Sequence, residues 1–174
     1  MEYEFELRFR LPADAGDSAE LVERLGEVGC DDAVVGIGQA GRVALRFTRE
    51  AESAKRAIVS ALEDVKKAIP TAKLIEAGPD FVGLSDVADL LGMSRQNIRK
   101  LMLAHPAAFP APVHDGSTAI WHLEPVLLWL QGKGGYSISA ELMDVAHVTL
   151  QVNLIKAADR LDSPIQREVR PLVA

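Results

Sequence analysis

A strictly alternating segment at the start of the chain, a glycine turn between two capped helical runs near its middle and a long helical-period apolar run near its end predict an α+β protein. The expected order is a βαββαβ unit in residues 1–78, a helix-turn-helix with a small wing in 79–135, and a C-terminal helix and tail in 136–174.

The first strand places Tyr3, Phe5, Leu7, Phe9 and Leu11 on one side and Glu2, Glu4, Glu6, Arg8 and Arg10 on the other, the period-two pattern of a sheet with one buried face. Asp17-Ser18-Ala19-Glu20 resembles a capping box, and Leu21, Val22, Leu25 and Val28 form a helical apolar face that ends near Gly29. Two strands follow, with Ala33, Val35 and Ile37 on one face of the first and Val43, Leu45 and Phe47 on one face of the second. Ala54, Ile58, Ala61, Leu62, Val65 and Ile69 then recur at helical spacing until Pro70 stops the run, and Thr71 to Glu76 returns as a strand. This order suggests a ferredoxin-like sandwich, a fold that hosts many functions. The aromatic residues share the phase of the aliphatics, so the open face keeps Glu4, Glu6, Arg8, Arg10, Arg42 and Arg46, which disfavours RNA stacking. That mixed-charge face is either solvated or meets a protein partner.

From Leu84 onward the pattern changes. Ser85 is the expected N-cap of a short helix through Leu91, and Gly92 supplies the positive φ of a sharp exit. Ser94 caps a second helix, Arg95 to Ala104, which lacks proline and glycine. Val87, Leu91, Met93, Ile98 and Leu101 stand where two such helices must lock, and Ala88 is small where they pass closely. The polar residues left on the second helix are Arg95, Gln96, Asn97, Arg99 and Lys100, with no carboxylate among them. Arginine forks to guanine, Gln and Asn pair with adenine, and all five can hold phosphate, so the set suits a DNA groove. Arg95, Gln96 and Arg99 are the expected base readers and Lys100 a phosphate contact; an ordinary solvated helix face is the bland alternative.

Phe109-Pro110-Ala111-Pro112-Val113 reads as an extended strand, Asp115-Gly116 as a hairpin turn, and Thr118 to His122 as the returning strand that carries Trp121 onto the helices. Glu124-Pro125 opens a further helix through Trp129 and Leu130. This succession resembles the excisionase and AlpA-type branch of the MerR-like winged helix-turn-helix proteins over residues 82–133. The resemblance implies a second helix in the major groove and a wing against the adjacent backbone, with His114, Ser117 and Thr118 at its tip. The wing departs from many in that family by carrying Asp115 where Arg or Lys is common.

Length and apolar content suit a packed core in one large or two small domains, and no apolar run is long enough to span a bilayer. The amino terminus has no basic region followed by an apolar stretch, so a cytoplasmic location is expected. Cys30 is the single cysteine, which excludes an intramolecular disulfide and a thiolate metal cluster. The net charge of −6 is unevenly placed: residues 1–79 hold 11 Lys and Arg against 15 acids, whereas the only charges in residues 93–104 are the cations Arg95, Arg99 and Lys100. Useful DNA affinity would then require specific contacts or dimerisation.

Gly36-Ile37-Gly38-Gln39-Ala40-Gly41 matches a dinucleotide fingerprint by letters, but the alternation of Arg42 to Phe47 after it makes a hairpin loop the better reading. Asp31-Asp32 reads as an exposed turn, and His105 and His122 as packing or surface histidines. No nucleophile, base and acid set suggests an enzyme, and no cofactor or metal is expected. Gly78-Pro79 marks a short join between docked or slightly mobile halves. Ser139 caps a helix apolar nearly all round, which either the rest of the monomer or a second copy must cover, while Val148 to Leu154 taken alone could be a strand. A homodimer through this helix is the expectation, as the MerR-like resemblance also implies, and the tail after Asp162 is expected to be irregular. The function that follows is sequence-specific binding of double-stranded DNA by a small bacterial transcriptional regulator. The alternatives are an excisionase-like protein that bends DNA and a protein-interaction adaptor that does not bind DNA.

Overall fold

The computed structural model describes residues 1–173. It is an α+β structure with seven helices and a four-stranded antiparallel sheet among these residues. Strands β1 (Glu2–Arg10), β2 (Ala33–Gly36), β3 (Arg42–Glu50) and β4 (Lys73–Gly78) lie in the order β2-β3-β1-β4. The β1–β3 register sets Phe5 opposite Phe47, Leu7 opposite Leu45 and Phe9 opposite Val43, so one pleat face is wholly apolar. The Phe5 and Phe47 rings stack with centroids 5.1 Å apart. Helices α1 (Ser18–Glu27) and α2 (Ala54–Ala68) supply the facing layer with Leu21, Leu25, Ile58, Ala61 and Val65. Burying each Leu, Ile or Phe contributes roughly 1.5–3 kcal/mol before entropy is counted. Asp17 accepts from the amides of Ala19 and Glu20, and Ser53 caps α2. The glycine-rich stretch after β2 is a hairpin loop, with Gly41 at φ 72° and β3 beginning at once. Val22 and Ile37, expected to face inward, are exposed; the last strand begins two residues later than expected and runs to Gly78.

A second apolar cluster gathers around Trp121, Ile98, Leu123, Leu127 and Leu130. It is built by β5 (Phe81–Val82), α3 (Leu84–Leu90), α4 (Arg95–Ala104), β6 (Trp121–His122) and α5 (Leu123–Lys133). Ser85 is not the cap of α3. The cap lies two residues earlier, at Gly83, whose N–H donates to the Asp86 carboxylate at 2.7 Å, and the helix begins at Leu84. Nor is Phe109 to Val113 a regular strand, because Pro110 and Pro112 have no N–H to give a ladder. The ribbon is reduced to a bridge between His114 and Ile120, and β6 pairs instead with β5, placing Val82 opposite Trp121. Trp121 does reach the helices: its ring meets Phe109 edge-on and its Nε1–H donates to the Pro110 carbonyl at 2.9 Å.

Helix α6 (Ala140–Ala158), capped by Ser139, joins the two clusters, and no strand forms at Val148 to Leu154. Val145, Val148 and Val152 pack on the sheet side, whereas Leu142, Met143 and Ala146 pack on the α3–α5 side. The apolar excess read from the sequence is therefore covered over much of its circumference by the monomer, with Leu154 and Ile155 left exposed. The tail after Asp162 is not irregular. It forms α7 (Ser163–Val173), where Asp162 caps the first turn and Pro164 occupies a position that needs no donor. No described helix is long and apolar enough to cross a membrane.

Candidate nucleic-acid interface

The surface offered by α4 is fixed by its neighbours. Gly92 has φ 62° with open space around its α-carbon, so the chain turns sharply between α3 and α4. The Met93 N–H donates to the Ala88 carbonyl at 2.8 Å, and the Ser94 hydroxyl accepts from the Asn97 N–H at 3.2 Å. Ile98 is fully buried and points α4 inward; Val87 and Ala88 are buried beneath it, and Leu91, Met93 and Leu101 are partly buried in the same cluster. With that side fixed, Arg95, Gln96, Asn97, Arg99 and Lys100 are all exposed, as is Ser94. Among the described residues none of the three cations is engaged in an ion pair.

Gln96, Arg99 and Lys100 come together around a shallow open depression of about 570 Å³, with Leu103 and Ala104 completing it. The sequence reading had not placed Leu103 in the site. It is 62% exposed on a helix that hides Ile98 completely, and an apolar group beside amide and guanidinium groups suits a thymine methyl; its signal in the sequence is a position off the stripe of Ile98 and Leu101. Arg95 and Asn97 lie on the same helix but do not line the depression. His114, Ser117 and Thr118 are exposed on the short wing, where the His114 ring lies over Gly116.

A different surface opens between the sheet and α3. A cleft of about 1100 Å³ is lined by eight carboxylates and two arginines, with Phe5, Phe81, Val82, Leu90 and Leu142 as its main apolar lining. Glu2, Glu4, Glu6 and Glu76 come from the sheet, Asp86 and Asp89 from α3, and no α4 residue lines it. Burial pushes the Glu76 carboxyl up from its ordinary value, against the pull of Arg8. Among the described residues no three His, Cys, Asp or Glu side chains converge as a metal site requires.

Two polar clusters escaped the sequence reading. Asp80 is wholly buried where the halves meet; one carboxylate oxygen accepts from His122 Nδ1–H and the other from Asn153 Nδ2–H, each at 2.7 Å. Asn153 also exchanges two hydrogen bonds with the Ala77 backbone, at 2.8 and 2.9 Å, and Thr149 donates to the Pro79 carbonyl. His122 is thus a partner of a buried acid rather than packing alone. Asp31 and Asp32 form the expected turn with Asp31 exposed, but Asp32 is part-buried and grips Arg49 through both oxygens. Arg49 further donates to Asp64, Ser60 and the Gly29 carbonyl. Burial works against its charge, but the two carboxylates overcome this and hold it protonated above the usual arginine range.

Searches against known protein families, curated proteins and solved structures find no match to this chain.

Proposed function

We propose that this chain is a sequence-specific DNA-binding protein, a small transcriptional regulator that inserts α4 into the major groove. One observation carries the reading: a helix locked by buried Ile98 behind a tight glycine turn presents Arg95, Gln96, Arg99 and Lys100 to solvent without an acid among them. This chemistry pairs with base edges and phosphates together. The β2-β3-β1-β4 order of the first half supports a ferredoxin-like unit, and the α3–α4 pair with its reduced ribbon supports a winged helix-turn-helix of the excisionase type. The ribbon is short and carries Asp115 at its tip, so α4 supplies most of the grip and the wing little.

Fluorescence anisotropy on labelled duplex over a salt series tests this directly. Each cation that holds a phosphate should contribute about −0.9 to the slope of log affinity against log salt. Arg99→Ala should cost about 1–3 kcal/mol on a preferred site if the guanidinium forks to a base. Equal affinity of the variant and the parent would remove Arg99 from the interface.

The acidic cleft favours a second reading, in which the protein binds a basic protein partner and leaves DNA alone. A basic-partner complex would survive Arg95→Ala and Arg99→Ala and would be lost on reversing charges at Glu4 and Asp89.

A further inference from the structure

The four-stranded sheet has two edges, and the chain treats them differently. At β4 the side chain of Asn153 closes the edge: its Oδ1 accepts from the Ala77 N–H at 2.9 Å and its Nδ2–H donates to the Ala77 carbonyl at 2.8 Å. Lys156 donates to the Ile75 carbonyl on the same strand. Nothing comparable closes β2. The Thr48 N–H donates to the Asp32 carbonyl, so in the β2–β3 register the even-numbered residues bond to β3 and the main-chain groups of Ala33 and Val35 turn outward. The Ala33 N–H is taken by the Cys30 carbonyl at 3.2 Å. Among the described residues the Ala33 C=O, the Val35 N–H and C=O and the Ile37 N–H have no hydrogen-bond partner.

An open edge accepts another strand, and chains commonly block one with lysine, proline or an inward charge. Residues 33–38 contain none of these. Val34 is instead 74% exposed, and Ile37, in the inward phase of the strand, is 37% exposed where the sheet stops. Gly36 between them has no backbone reason to be glycine: its φ is not positive, and a side chain there would meet Ala44 only at ordinary contact distances of 3.6 and 3.8 Å. With four residues β2 is short, so a partner has to match it side chain by side chain.

We propose that β2 pairs antiparallel with β2 of a second copy of this chain about a two-fold axis at Val35, joining the two sheets edge to edge. The sequence Ala33-Val34-Val35-Gly36-Ile37 is complementary in size to itself read backwards. Val34 meets the partner's Gly36, Ala33 meets the partner's Ile37, and Val35 meets the partner's Val35, so each large side chain faces a small one across the axis. The main chain is satisfied by the same register. Val35 exchanges two hydrogen bonds with the partner's Val35, and the Ala33 carbonyl of each copy accepts from the Ile37 N–H of the other. An unrelated extended peptide would find the hydrogen bonds but not the matched sizes, which select a second copy. The contact is isologous, so it closes at two subunits. It uses neither α4 nor the wing and does not rest on DNA binding.

Two cysteine variants at exposed positions test the register, with the parent and its buried Cys30 as the background control. Val34→Cys protein and Gly36→Cys protein are mixed, allowed to exchange subunits and oxidised. Opposed residues of a non-hydrogen-bonded pair have α-carbons about 4.5 Å apart, within reach of a disulfide. A covalent dimer is expected in the mixture in clear excess over either protein alone. The contact is small, so sedimentation equilibrium of the parent should show the dimer at about 0.1–1 mM. Val34→Lys, at an exposed position, should weaken association at least about tenfold. Val35→Pro removes an N–H that β3 does not use and should abolish the dimer, with circular dichroism confirming that both variants remain folded. Three results would overturn the proposal: a parent that stays monomeric over that range, a dimer that survives both substitutions, or Val34→Cys protein that cross-links by itself as readily as in the mixture, which would move the axis to Val34. None of them bears on whether α4 binds DNA.

Discussion

Arg49 stands almost wholly buried on β3, where it holds Asp32 after α1 and Asp64 on α2. Each carboxylate loses water to this arrangement, and the guanidinium fork offsets the loss with charge-assisted hydrogen bonds. Arg49→Met should therefore cost about 3–5 kcal/mol in urea unfolding, because it strands two acids rather than deleting an innocent surface pair. Cys30 lies beside this cluster, and burial with the nearby Asp64 charge pushes its thiol up to about 11. Glu76 provides a test with a pH signature. Its carboxyl is raised in the folded protein, so the folded state binds the proton more tightly and loses stability as pH rises through the unfolded and then the folded value. Glu76→Gln should melt higher than the parent at neutral pH. The gain should shrink to nothing well below the usual carboxylate range, and a gain independent of pH would refute the burial argument.

At the level of elements, the alternation of β1 and β3 and the helical spacing of α2 were legible because a half-buried strand or helix writes its burial into its own period. The turn at Gly92 and the cap at Ser94 were legible for the same local reason. The ribbon was overread: prolines extend a chain, but they also remove the donors that would make it a strand. The tail was underread, since two prolines and charged residues obscured an amphipathic helix with no partner inside the chain. Asp80, Asn153 and Arg49 could not be found from the sequence, because their partners lie far along the chain and only the tertiary fold brings them together. Asn153 makes a prediction of its own. Trp121 and Trp129 both sit in the α3–α5 half, so their fluorescence follows that half while far-ultraviolet dichroism follows the whole. In the parent the two signals should change together in urea. Asn153→Leu should lower stability by at least about 2 kcal/mol and separate the two transitions, because the Ala77 backbone and the Asp80 carboxylate lose their shared partner. Coincident transitions with unchanged stability would contradict the joint's role.

Over the whole molecule, charge is segregated. The cleft between the sheet and α3 is acidic, the outward side of α4 is cationic, and α6 holds the two halves in a fixed relation through Thr149 and Asn153. A net charge of −6 makes indiscriminate attraction to DNA weak, so binding at moderate salt has to come from matched contacts. The most direct measurement is selection of bound duplexes from a randomised pool at near-physiological salt, followed by sequencing, with an Arg95→Ala, Arg99→Ala variant in parallel. The account predicts an enriched motif for the parent that disappears in the variant. No enrichment with the parent at any salt, or the same motif with both proteins, would contradict readout by α4.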